Sequence, residues 1–212
     1  MANLEEVITE AIQTALKDTH TAMPAKIVSF NSSSQTADVQ PAINIKFKDG
    51  EDLKRPVIPG IRVGFQRVGG FCITFPLQAG DEGILIVSER SIAKWRTDGK
   101  ISAPDDARMH DLSDSLFLPM MYSDPNNIAS FSTSRIAIRT LNGTGKIEIS
   151  SDGRIELEKG GNKVLETLSD ALGTLGSTTV TVTAGSSAGT YNIDQQSDFT
   201  ALQAVIDAIR IV

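Results

Sequence analysis

Residues 134–161 read Ser134-Arg-Ile-Ala-Ile-Arg-Thr-Leu-Asn-Gly-Thr-Gly-Lys-Ile-Glu-Ile-Ser-Ser-Asp-Gly-Arg-Ile-Glu-Leu-Glu-Lys-Gly-Gly161 and repeat one small unit: an apolar-x-apolar core followed by a glycine-bearing turn. The cores are Ile136 and Ile138, Ile147 and Ile149, and Ile155 and Leu157; the turns are Asn142-Gly143, Asp152-Gly153 and Gly160-Gly161. Side chains alternate along a strand, so each core offers one narrow aliphatic face and an opposite face of Arg, Glu, Ser and Lys. So few aliphatics per strand cannot enclose a core within one chain, and other copies wrapped about a common axis would complete every rung at once. The segment therefore reads as part of an intertwined oligomeric β-structure. An ordinary antiparallel meander covered by a helix of the same chain fits the residues as well, and both readings stay open here. In the intertwined reading Glu148, Glu156 and Glu158, which alternate with the apolar residues, are expected on the solvated face.

The 212 residues allow one or two domains, and 40% hydrophobic content suits an ordinary core. A net charge of -6, from 26 acidic against 20 basic residues with no long run of either sign, disfavours nucleic acid as a partner. Cys72, the single cysteine, lies between Phe71 and Ile73 and is expected as a small buried hydrophobe, compatible with a reducing cytoplasm. Apolar runs such as Ile84-Leu-Ile-Val87 are far too short to span a membrane, and no basic stretch followed by an apolar core suggests a secretory signal. Composition breaks near residue 125: all 8 prolines lie at or before Pro125, and the residues beyond it trade aromatics for Gly, Ser, Thr and small aliphatics.

Residues 3–18 carry Leu4, Val7, Ile8, Ala11, Ile12, Ala15 and Leu16 at helical spacing, with Asn3 as N-cap and Glu6 placed to close a capping box. From Ala25 onward short strand patterns follow one another: 25–30, 36–40, 43–47, 55–65, 69–75 and 83–88, with a charged turn around 48–52, before Ser88–Trp95 turns to helical spacing. Such strands, punctuated by Gly and Pro, suggest a Greek-key barrel of the oligonucleotide/oligosaccharide-binding (OB) type, a fold that by itself says little about ligand. After the repeat, Val164, Leu165, Leu168, Leu172 and Leu175 form a helical stripe, Ser177–Thr183 reads as a strand and 184–190 as a turn segment. Ser197 or Asp198 would cap a last helix carrying Phe199, Leu202, Val205, Ile206 and Ile209.

Three stretches then occur in a telling order and spacing: Phe75-Pro-Leu-Gln-Ala-Gly-Asp-Glu-Gly83, Ser88-Glu-Arg-Ser-Ile-Ala-Lys-Trp95 and His110-Asp-Leu-Ser-Asp-Ser-Leu-Phe-Leu-Pro119. The chain here resembles the N-terminal barrel domain of the membrane-piercing central-spike proteins of contractile-tailed bacteriophage baseplates. The residues that carry the resemblance are Phe75, Pro76, Gly80, Asp81, Gly83, Arg90, Trp95, His110, Asp111, Leu112, Ser113 and Asp114. It implies a mainly β chain: an N-terminal amphipathic helix over 1–23, an OB-fold barrel over 24–125, a short intertwined trimeric β-helix or β-prism needle over 126–161, and a helix-strand-helix tip region over 162–212. Ile136, Ile138, Ile147, Ile149, Ile155 and Leu157 would form the trimer core. The implied partners are two further copies, a baseplate or tail hub protein, a separate spike-tip protein and, transiently, the host outer membrane, in a virion assembled in the host cytoplasm.

No catalytic, cofactor or metal site is expected. His20 and His110 lie in different segments, and no His follows residue 110, so the axial His-x-His metal tip common in the spike family is not carried over. Asp111 and Asp114 beside His110 read as capping and loop-bonding residues rather than an acid-base pair. The remaining alternative, an OB-fold module for glycan or single-stranded nucleic acid, calls for exposed aromatics in a basic groove. Trp95 is the only tryptophan, and the chain is acidic.

Overall fold

The computed structural model describes residues 3–47 and 50–211; Lys48 and Asp49 of the expected charged turn lie outside the described residues. The chain is mainly β with a few helices and divides into two compact units, 1–127 and 128–212.

The first unit opens with α1 (Leu4–Asp18). Its capping box is closed: Asn3 Oδ1 accepts from the Glu6 amide at 3.0 Å, and the Glu6 carboxylate accepts from the Asn3 amide at 3.0 Å. The aliphatic stripe of α1 is exposed along its whole length. There follow β1 (Ala22–Asn31), β2 (Thr36–Pro41), β3 (Ile45–Lys46), β4 (Asp52–Leu53), β5 (Ile58–Val63), β6 (Gln66–Val68), β7 (Phe71–Ile73), β8 (Glu82–Val87), α2 (Ala93–Asp98) and β9 (Ser115–Leu118). Five of these strands close a barrel in the order β1-β2-β5-β9-β8, every pair antiparallel except β5 with β9. Alternation supplies its core, since Ala25, Ile27, Ala37, Val39, Ile61, Val63, Leu85 and Phe117 all point inward and are buried.

Two hairpins, β3–β4 and β6–β7, stand outside the barrel. Gly69 and Gly70, both at positive φ, turn the second one where the sequence suggested a strand onset. Cys72 is accordingly exposed rather than buried, because a hairpin of two short strands has no second layer to cover it. The helix expected over Ser88–Trp95 starts only at Ala93. Arg90 bridges to Met109, and the Ile92 amide is taken by Asp114 Oδ1 at 3.0 Å, which holds 88–92 out of the helix.

The second unit contains β10 (Arg135–Arg139), β11 (Gly145–Ser150), β12 (Ile155–Lys159), β13 (Asn162–Lys163), α3 (Val164–Gly176), β14 (Thr179–Val182), β15 (Gly189–Asn192) and α4 (Gln196–Ile209). β10 to β13 form an antiparallel sheet in sequence order, with Gly143, Gly153, Gly160 and Gly161 at positive φ in the turns. The β14–β15 hairpin takes in residues read from sequence as a turn. Helix α4 begins before either expected cap: the Ile193 and Gln195 carbonyls accept from the Gln196 and Asp198 amides at 3.2 and 3.0 Å, so the first turn closes on backbone alone. The two long helices meet along small and polar residues. Ser169 Oγ donates to Asp207 Oδ1 at 2.8 Å, and a Cβ on Gly173 would lie 2.8 Å from Gln203 Nε2.

Candidate functional site

The aliphatic cores of the repeat form one continuous patch. Ile136 pairs with Ile149 and Ile138 with Ile147 across β10–β11; Ile147 pairs with Leu157 and Ile149 with Ile155 across β11–β12. All six are exposed, from 73% for Ile136 to 37% for Ile155. A depression of ≈ 740 Å³ at one end is lined by Ile138, Ile147, Leu157 and Val164 among others. The sheet is thus a meander within the chain, and its aliphatic face is left exposed.

The expectation of a solvated glutamate face is corrected. Glu148 and Glu156 are buried, at 7% and 1% exposure, and Glu158 is half-buried. Cross-strand ion pairs stabilise that face: Arg135 Nη1 lies 3.2 Å and Lys146 Nζ 3.3 Å from Glu148 Oε2, and Lys146 Nζ lies 3.1 Å from Glu158 Oε2. The hydrogen bond to Glu158, then that to Glu148, holds the Lys146 ammonium above its ordinary range against the opposing effect of burial. Glu156 stands opposite Glu148, and one of its carboxylate oxygens has no partner among the described residues. An antiparallel sheet ordinarily buries its aliphatic face and solvates its ionic one. Here the burial is reversed.

In the barrel unit the residues that carry the spike resemblance build scaffold. The Phe75 ring stacks obliquely on Phe65 at 6.3 Å, Pro76 follows it, and Gly80 turns the chain at φ 96°. Asp81 accepts the Gln78 amide at 2.7 Å, and Gly83 lies where a side chain would strike Phe117. Arg90 is exposed beside Glu89, and Trp95 is exposed on α2. Asp111 caps a 3-10 turn over Leu112–Asp114 by accepting from the Ser113 amide and hydroxyl at 2.8 and 2.6 Å; these two bonds hold its carboxyl below the usual range. Leu112 packs partly against the core. Asp114 is buried and accepts from Arg108 Nε at 2.6 Å as well as from the Ile92 amide; that carboxylate raises the Arg108 guanidinium further.

The two histidines come together despite their separation in sequence. His110 Nδ1 lies 3.0 Å from the His20 carbonyl oxygen, and His20 Nδ1 lies 3.2 Å from that of His110. Arg55 Nη1 is 3.2 Å from His20 Nε2, so the segment after α1 is tied to the loop before β9 through His110 and to the loop before β5 through Arg55.

Sequence reasoning missed Glu82. Its carboxylate accepts the Ser123 amide at 2.7 Å and the Ser123 hydroxyl at 2.9 Å, and pairs with Lys26 at 2.9 Å. The Ser123 amide above all, then Lys26 and the Ser123 hydroxyl, lower its pKa to about 2. An acidic residue at a strand start gives no sign of such a role. Among the described residues no group of three or more His, Cys, Asp and Glu is placed to hold a metal, and no helix is long and apolar enough to cross a membrane.

No curated protein matches the chain. Residues 23–120, which take in all of the barrel strands but Ala22, match the family model of the phage protein Gp138 N-terminal domain, and this match supports a phage structural protein consistent with a place in the virion.

Proposed function

We propose that this chain is a non-enzymatic, homotrimeric central spike of a phage tail baseplate. Its barrel attaches to a tail hub protein, and its second unit supplies a needle, with or without a separate tip protein, that crosses the host envelope when the tail contracts. The barrel would be of the OB type. Numbered among themselves, its strands run 1-2-3-5-4 with a parallel closing pair between the third and fifth, which suits a small Greek-key barrel.

The observation that carries the reading is the uncovered aliphatic face of β10–β12 in a chain whose barrel matches a phage domain. Covering a half-exposed Ile or Leu contributes about 1 kcal/mol, so the six in each copy supply about 6 kcal/mol. Association costs roughly 4–15 kcal/mol in lost freedom. The sheet alone is therefore marginal, and further apolar surface has to be covered with it; Val164 lines the depression on that face, and Leu168, Leu175, Leu202, Val205 and Ile209 of α3 and α4 are exposed as well. In that assembly a shared aliphatic core lets the spike transmit the work of contraction without buckling. The test is the solution mass of the full-length chain by light scattering against the 22.7 kDa protomer. A value near three protomers that survives dilution supports the spike; a stable monomer excludes it.

A further inference from the structure

Beside α2 the barrel unit carries a groove of ≈ 660 Å³ lined by Arg62, Arg67, Arg96, Trp95, Phe65 and Cys72 among others, with no carboxylate in its lining. In an acidic chain this is an uncompensated basic site. Arg62 Nη1 donates to the Ser34 carbonyl at 2.9 Å and Arg96 Nη2 to the Gly60 carbonyl at 3.0 Å, which fixes both side chains. Among the described residues neither they nor Arg67 forms an ion pair. The β6–β7 hairpin, whose Arg67 and Cys72 line the groove, exposes Val68 by 80% and Phe71 by 81% at its tip.

We propose that the groove and the hairpin form one docking surface for an acidic segment of another tail protein, carboxylates meeting the three guanidinium groups and an apolar pocket receiving Val68 and Phe71. This deepens the reading that the barrel attaches to a hub, and it rests on that reading. Arginine and aromatic residues dominate the energetic centre of protein interfaces, and an arginine fixed in advance loses little freedom on pairing with a carboxylate. Arginines around a tryptophan would also suit a nucleic-acid strand or a sulfated glycan. Those polymers offer no pocket for Val68 and Phe71, so the hairpin decides for protein.

Trp95, the only tryptophan in the chain, reports on the groove by its own fluorescence. The full-length chain is titrated with a short capped peptide of alternating Glu and Leu, with its Gln-Leu counterpart, with oligothymidylate and with a sulfated heparin oligosaccharide. The acidic peptide is expected to shift Trp95 emission saturably, about tenfold more tightly than the Gln-Leu peptide, and Arg67→Glu is expected to weaken it by about tenfold. Arg67 is the residue to change because, among the described residues, its side chain makes no hydrogen bond or ion pair. The proposal is overturned by no saturable response to the acidic peptide, by equal response to both peptides, or by tighter binding of the oligonucleotide or the glycan. It is also overturned if Arg67→Glu alters the solution mass, which would place the groove between copies of this chain. A monomer that still binds the acidic peptide would sink the trimeric spike and leave the docking surface standing; a trimer that ignores the peptide does the reverse.

Discussion

There is no room for a side chain at Gly83: a Cβ there would lie 2.5 Å from the Leu118 carbonyl oxygen and from the Phe117 ring, a fully buried core side chain. Gly83→Ala is expected to cost about 2 kcal/mol through overpacking, read as a lower urea midpoint at unchanged slope. The neighbouring Glu82 acts through charge. Its folded pKa, about 2 against an ordinary 4.5, means that its contribution to stability is complete above pH 4.5 and is lost as the pH falls toward 2. Glu82→Gln should therefore melt below the parent at pH 6, and the gap should close as acid protonates the parent's carboxylate; a gap that stays constant to pH 2 refutes the latch. At this scale the sequence was partly readable. The turn at Gly80 and the cap at Asp111 follow from residue type, whereas the Glu82 contact spans 41 positions and leaves no local trace.

At the scale of elements, α1 and the strand cores of the repeat were legible because periodicity reports which side chains share a face. Periodicity does not report what covers that face. The burial of Glu148 and Glu156 and the exposure of the opposing isoleucines both lay beyond it. The β6–β7 hairpin was misread for a related reason: Gly69-Gly70 marks a turn and a strand boundary equally well, and the cysteine between two apolar neighbours suggested a core that the hairpin lacks. The basic groove was illegible because its arginines come from separate stretches around residues 62, 67 and 96. Within the repeat, Ile147→Asp is expected to abolish association by placing a carboxylate from each copy in one dry layer, while the barrel, a separate unit, keeps its melting behaviour. Normal assembly of this variant would exclude the β10–β12 face as the shared core.

For the whole molecule, exposed aliphatics recur on α1, on β10–β12, on α3 and α4 and on the β14–β15 hairpin, a quantity of apolar surface that one copy leaves in water. If copies cover one another, the melting temperature of the second unit must rise with protein concentration, and calorimetry over a hundredfold dilution series should show it; a concentration-independent transition would argue for a folded monomer. The Glu82 latch has a mechanical meaning at this scale. Past Leu118 the chain leaves β9 and meets Glu82 at Ser123 before entering the second unit. The contact thus fastens the chain where it leaves the barrel to β8 and, through Lys26, to β1, so that its hold there does not depend on β9 alone.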